Sequence, residues 1–407
     1  MRTPFVALLA VLLLLVPALA ACGGGTATQP TAAPEATAAP TAAPGATAAP
    51  TAAPEATAAP TAAPEATAAP TTGATDASSL RVGLVTDIGK VNDGTFNEFA
   101  HKGVLQAQQQ YGFEYKYIET TAQADYAANV QTLVDEKFDV IVTVGFLIAD
   151  ATRAAAAAHP EIFFIGVDQF YEPGTVTDNL IGLQFREDQA GFLAGALAAM
   201  MSESGTIGIV AGIDIPPVKK FKNGFDNGAK YVRPDINLLG VYVPSFTDSA
   251  TGASNAQQML GEGADVVFGA GGQTGSGAIK AAAEAGAFVI GVDQDEFLTT
   301  FGRGSAPGAD RILSSAIKRV DVAVATEIGK VIDGTFKGNG IEVFDASGNG
   351  VGLADFHDTA DLVPDGVKAR LDEIFAGLAD GSLTTGVDPV SGELDEATMP
   401  EPNPYTP

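Results

Sequence analysis

The sequence predicts an α/β protein whose folded part is a pair of similar doubly wound lobes, preceded by a segment that cannot build a core. From Leu80 onward, short continuous apolar runs alternate with amphipathic stretches of helical period, the pattern of parallel sheets covered on both faces. The alternation runs through twice in succession, one unit after the other. Before residue 80 the chain is a Thr/Ala/Pro repeat with almost no large apolar side chain, so nothing offsets the entropy cost of ordering it.

In the first unit LRVGLVT (80–86), FEYKYIE (113–119), FDVIVTVG (138–145), IFFIGVD (162–168) and NLIGLQF (179–185) read as strands. NEFAHKGVLQAQQQ, YAANVQTLVDE and ADATRAAAAA read as the helices between the first four. The second unit opens on a helix at 187–204. Strands at 206–212, 238–243, 264–270 and 287–293 follow, with helices at 218–232, 253–262 and 276–285 between them. After Asp293 the rhythm breaks into a Gly-rich loop (302–308), a strand RILSSA, a long helix and a helical tail near 364–378, as expected of a chain that crosses between lobes more than once. Lobe 1 is therefore assigned 80–185 plus about 312–350, and lobe 2 is assigned 186–311 plus about 351–385. Residues 386–407, acidic and Pro-rich, read as a flexible tail.

One phrase occurs almost twice, IGKVNDGTF at 88–96 and IGKVIDGTF at 328–336. The first copy follows a buried strand and is a loop that carries Phe96. In the second, Val320, Val324, Ile328 and Val331 keep helical spacing, so the phrase is the end of a helix and Phe336 packs in the core.

The N-terminus has its own logic. Residues 1–21 run from a basic residue, Arg2, through an apolar stretch to small residues, the order of a secretory signal, and the apolar run is short for a membrane span. It ends in LAAC (19–22), which resembles the lipobox of bacterial lipoproteins. Cys22, the only cysteine in the chain, would be the lipidated residue. Residues 22–79 then read as a disordered, semi-stiff tether whose prolines favour an extended chain of about 3.1 Å per residue.

A formal net charge of −27 repels phosphate backbones and anionic lipid heads, which argues against a nucleic-acid partner and leaves membrane contact to the lipid. Enzymatic constellations are thin. His101, His159 and His357 share no ligand spacing, and the stretch GAGGQTGSG (269–277) has neither the Lys of a phosphate loop nor the third Gly of a dinucleotide fingerprint. We therefore expect no catalysis, no cofactor and no metal.

In open α/β sheets ligands sit at the carboxyl ends of strands. Here those ends carry Asp87 (with Asn92, Asp93 and Phe96 in the next loop), Gly145-Phe146, Asp168, Phe246, the Gly271-Gly272 turn and Asp293. Rings bury the faces of a flat ligand, and carboxylates accept from its O–H and N–H groups while repelling phosphate. The set points to a neutral polar ligand such as a sugar or a nucleoside. Each Asp taken singly serves equally well as a helix N-cap or solvated turn. The Gly pair serves equally as a turn that is tight only for packing.

VGLVTDIGKVNDGTFNEFAHKG and GTIGIVAGIDIPPVKKFKNGFDNGAKYVRPD resemble two long blocks of the basic membrane protein family, the purine-nucleoside-receptor type of lipoprotein. PSFTD, GADVVFGAGGQTGSG, IGVDQDE and SSAIKRVDVAV follow in the family's order, so the likeness spans roughly 80 to 378. The resemblance implies a type I periplasmic-binding-protein fold: two Rossmann-like doubly wound lobes joined by a three-crossover hinge that closes on ligand. It implies the monomeric substrate-binding lipoprotein of an ABC importer, with permease and ATPase subunits as partners, on the outer face of the cytoplasmic membrane. Carried over by motif, Asp87 and Asn97 would address a nucleobase and Phe96 would stack on it. Phe221 and Phe246 are candidates for the opposing ring. Asp293 would take ribose hydroxyls, Lys318 would donate to ligand oxygen or orient the carboxylates, and Asp150 and Asp168 would stand at the cleft edge. ND stands here before the loop Phe, where DD or ID is commoner in the family. A membrane-tethered receptor or sensor for a sugar or other small polar ligand is the alternative on the same fold.

Overall fold

The computed structural model describes residues 77–406; the expected signal, Cys22 and nearly all of the tether lie outside the described residues. Parallel strands with helices between them build the first sheet from β1 (Arg81–Ile88), β2 (Glu114–Thr120), β3 (Val140–Val144), β4 (Phe163–Val167) and β5 (Leu180–Phe185). The intervening helices are α1 (Phe96–Tyr111), α2 (Tyr126–Asp135) and α3 (Ala149–Ala158). The chain then enters α4 (Glu187–Met201) and builds the second sheet from β6 (Thr206–Ala211), β7 (Asn237–Tyr242), β8 (Val266–Ala270), β9 (Phe288–Asp293) and β10 (Ile312–Lys318). Its helices are α5 (Pro216–Val232), α6 (Ser249–Gly261) and α7 (Gly272–Glu284). Then come α8 (Val320–Ile332), β11 (Gly340–Phe344), β12 (Val351–Leu353) and α9 (Asp365–Asp380).

The sheets have orders β11-β5-β4-β3-β1-β2 and β12-β10-β9-β8-β6-β7. Each strand of one sheet thus has a counterpart in the other, with β1 matching β6, β4 matching β9 and β5 matching β10. Every pairing is parallel except β10 with β12. Buried Val, Ile and Leu from both faces fill the strands, which is why these runs are continuous and not alternating.

The chain passes between the lobes three times: after β5, after β10 and between β11 and β12. The first two crossings are built alike. Arg186 forks onto Asp188 at 2.8 and 2.7 Å, and Arg319 onto Asp321 at 2.9 and 3.0 Å, each in the first turn of the helix that enters the other lobe. The strand Ile312–Lys318, assigned above to lobe 1, belongs instead to the second sheet beside β9. The Gly-rich loop hid that continuation, because it interrupts the helix–strand rhythm without ending the sheet. The Pro-rich tail, expected to be flexible, lies along α5. Asn223 donates to the Gly392 carbonyl at 2.7 Å, Lys219 pairs with Glu393 at 2.5 Å, and the Tyr405 N–H donates to the Val232 carbonyl at 2.9 Å.

Helix α4 is apolar nearly all round and buried, as a helix enclosed on every side must be. Its Gly191 and Gly195 face Gly224 and Gly228 of α5. A Cβ on Gly195 would sit 1.9 Å from the Phe225 carbonyl oxygen, so only glycine allows this approach. That close packing fixes α5, whose inner face reaches the cleft. The second IGKV phrase forms the last turns of α8, and Phe336 is buried edge-on against Phe163, with centroids 5.1 Å apart.

Candidate functional site

The carboxyl ends of both sheets face a cleft between the lobes, lined by Asp87, Phe96, Asn97 and Asp168 from the first and by Phe221, Phe246, Gly271, Gly272, Asp293 and Lys318 from the second. Ten residues expected from strand ends and motif thus share one cavity. A wider, open groove runs along the flanks of α1, α7 and α9. It also touches the ends of β9 and β10 and strand β12, but the carboxylates and rings expected at the strand ends converge in the inner cleft, so we assign the site there.

The loop after β1 is organised by Asp93. Its carboxylate accepts from the N–H groups of Thr95, Asn97 and Glu98 at 2.9, 3.1 and 3.1 Å and so caps α1, whose Thr95 makes no side-chain cap. This places Phe96 at the first position of α1. The Asn97 amide is committed on both sides: its oxygen accepts from the Asp87 N–H at 2.9 Å and its Nδ2 donates to Asp93 at 3.0 Å. Asn97 therefore orients the two aspartates, with one N–H left for any ligand. Asp87 accepts from the Ile88 N–H at 2.7 Å and from the Tyr126 hydroxyl through the same oxygen. Its other oxygen lies beside Gly145, where a Cβ would come within 2.3 Å. Burial raises the Asp87 pKa to about 6 despite these donors.

Asp168 and Asp293 follow equivalent strands and both adopt positive φ, +62° and +65°. Such backbone strain in a non-glycine residue is uncommon and concentrates at functional sites. Lys318, at the end of β10, reaches across the lobes to Asp168 at 2.6 Å and to Glu187 at 2.9 Å, and Lys220 meets Glu187 at 2.6 Å. The Lys318 ammonium also stands 4.8 Å from the centre of the Phe96 ring. Burial alone would lower the Lys318 pKa, but Asp168, Glu187 and Asp293 hold it above its ordinary value. Burial pushes Asp168 up to about 6 and Asp293 up to about 7, against the opposing pull of Lys318. One Asp168 oxygen is buried and has no hydrogen-bond partner. An acceptor in that state favours a donor from a ligand.

Phe221 is buried on α5, edge-on to Phe268, and Phe246 packs on Gly212, where a Cβ would lie 2.5 Å from its ring. Gly271 and Gly272 are tightly packed and also line the cleft. A Cβ on Gly271 would stand 2.4 Å from the Gly212 nitrogen, and Gly272 has φ +56°. Asp150 stands apart: it is exposed in the first turn of α3 and outside the lining, where its charge complements the helix N-terminus. Sequence reasoning missed Glu187, Lys220 and Tyr126. Lys220 lies within α5, and Tyr126 and Glu187 open helices, Glu187 two residues after β5; no local pattern marks them. Among the described residues no cluster could hold a metal ion, and no helix is long and apolar enough to cross a membrane.

Rings, carboxylates and an ammonium converge in the cleft, a set suited to holding a small polar ligand. An ABC transporter nucleoside-binding protein of Lactococcus lactis subsp. cremoris is 30% identical over 320 residues, covering 75% of this chain and 89% of its own. An uncharacterised lipoprotein of Pyrococcus abyssi is 35% identical over 308 residues, covering 72% of each chain. The crystal structure of an ABC transporter solute-binding protein from Aeropyrum pernix superposes with a TM-score of 0.68 at 26% identity, covering 75% of this chain and 92% of that one. Residues 80–373 match the family of PnrA-like ABC transporter substrate-binding proteins, and the chain belongs to that family.

Proposed function

We propose that this substrate-binding protein captures a nucleoside, with a purine as the favoured base, and delivers it to the permease of an ABC importer. The observation that carries the reading is the pairing of Asp168 and Asp293 at positive φ, with Lys318 beside Phe96. Carboxylates from both lobes suit vicinal hydroxyls, and a phenyl ring with a cation above it suits a base face. The nucleoside-binding name of the Lactococcus relative supports the same ligand. We further propose that the chain works outside the cytoplasm as a monomer, held at the membrane by a lipid on Cys22 and given reach by the tether. Changing Cys22→Ser would then move the protein from the membrane fraction to the soluble one.

The ligand test is a thermal-shift titration of the full chain with nucleosides, sugars and nucleotides. Guanosine, inosine or adenosine should raise Tm, and the corresponding monophosphates should do so weakly, because the cleft carboxylates repel them. A response to sugars alone would replace the nucleoside with the sugar-receptor alternative. Phe96→Ala should weaken nucleoside binding roughly 10- to 100-fold, the cost of exposing one buried ring face, while leaving the circular dichroism spectrum intact.

A further inference from the structure

Both lobes carry the same five residues at the ends of equivalent strands, IGVDQ at 165–169 and at 290–294. The aspartates share a positive φ, but the glutamines part. Gln169 folds back into its own lobe. Its Nε2 donates to the Thr143 hydroxyl and the Gly145 carbonyl, both at 3.1 Å, and its Oε1 accepts from the Tyr171 hydroxyl. In the second lobe that place is taken. Glu296 lies over Gly291 as Gln169 lies over Gly166, and it accepts from the Ser276 hydroxyl at 2.7 Å and the Thr300 hydroxyl at 2.5 Å. Gly269 stands at the register position of Thr143, so the hydroxyl that would hold a glutamine there is gone.

Gln294 reaches across the cleft mouth instead. Its Nε2 donates to the Thr95 carbonyl at 3.0 Å and its Oε1 accepts from Lys102 at 2.8 Å. Beside it the Thr299 hydroxyl donates to the Gly94 carbonyl at 2.8 Å. Gln294 is only 3% exposed, so its bond to Thr95 is shielded from water, while the Lys102 and Thr299 bonds are partly buried. Gly94 and Thr95 belong to the turn that ends at Phe96, and Gln294 follows Asp293 directly. One side chain therefore ties together the backbones that present the ring and the carboxylate.

We propose that Gln294, assisted by Thr299, is an interlobe latch: a positioning residue that holds Phe96 against Asp293 and sets how much of the chain is closed, whatever the ligand. None of its bonds uses a ligand atom, so they favour the closed state directly and lengthen the residence of anything enclosed.

The test is pulsed EPR on the full chain carrying Cys22→Ser, with spin labels at Gln109→Cys on α1 and Gln257→Cys on α6, both exposed. In buffer alone, Gln294→Ala combined with Thr299→Val should move population from the shorter to the longer interlobe distance. With guanosine as probe, the same variant should release it about tenfold faster with little change in association rate, the effect of losing two or three hydrogen bonds between the lobes. Thr299→Val alone should give a smaller shift in the same direction, and it decides the matter should Gln294→Ala fail to fold. Identical distance distributions in the parent and the double variant would overturn the latch. The distance measurement stands even where guanosine does not bind, so a wrong ligand and a wrong latch give different results.

Discussion

One Asp87 oxygen takes both the Ile88 N–H and the Tyr126 hydroxyl, and the other is left toward the cleft beside Gly145. The Tyr126 bond lowers the Asp87 pKa against the larger upward push of burial. Removing it with Tyr126→Phe should therefore raise the Asp87 pKa further above about 6. Nucleoside affinity at pH 7 should fall several-fold, roughly the worth of one hydrogen bond to a charged group, and recover by pH 8 as Asp87 ionises. Isothermal titration between pH 5 and 8 reads this; a loss independent of pH would mean that Tyr126 only packs. Asp87, Asp168 and Asp293 stood out in the sequence because each closes a continuous apolar run, although singly each served equally well as an N-cap or a turn; it was their shared placement that pointed to one cleft. Tyr126 did not, since it opens a helix 39 positions away and meets Asp87 only through the sheet. Asp150 was carried over by motif alone; it sits in the first turn of α3, exposed and outside the cleft lining.

At the level of elements, α5 connects the cleft to the tail. Its inner face presents Phe221, while its outer face carries Asn223, Asn227 and Lys219, which hold residues 385–393. Thr385, the residue just before the tail, donates to Asp188 at 2.5 Å, so the chain entering the tail is fixed at the first crossing between the lobes. Deleting 386–407 should lower Tm by roughly 5 °C, as expected for the loss of a few net hydrogen bonds from a domain of this size. It should also weaken nucleoside binding more than Asp150→Ala does. Equal Tm values by calorimetry would show that the tail merely rests on α5. The alternating strands and helices were readable because burial on both faces writes itself into continuous apolar runs. The tail was not, because it is held through its backbone carbonyls by polar side chains of α5, which leave no trace in its own composition. Strands β11 and β12 were missed likewise: they are short, half-buried and lack a continuous apolar run.

For the whole molecule, closure collects carboxylates from both lobes around one shared ammonium, and its energetics depend on pH. Burial raises Asp87 and Asp168 to about 6, and Asp293 and Glu296 to about 7. In the unfolded chain such groups release their protons near pH 4. Between there and pH 7 the folded chain holds more protons than the unfolded one, so stability falls as pH rises through that window. Glu187, held low by Lys220 and Lys318, acts in the opposite sense but is outnumbered. The ligand-free protein should therefore melt at a higher temperature at pH 5 than at pH 8. A nucleoside reverses the trend in part: hydroxyls donating to Asp293 and Asp168 favour their ionised forms, so the ligand-induced rise in Tm should grow from pH 5 to pH 8. Asp293→Asn removes one of the raised groups and should flatten both slopes, whereas Asp150→Asn, at an exposed position outside the cleft, should change neither. Calorimetry of the three proteins with and without guanosine separates these outcomes. A parent protein whose ligand-induced shift shrinks with rising pH would mean that the cleft carboxylates bind as acids, donating to the ligand instead of accepting from it.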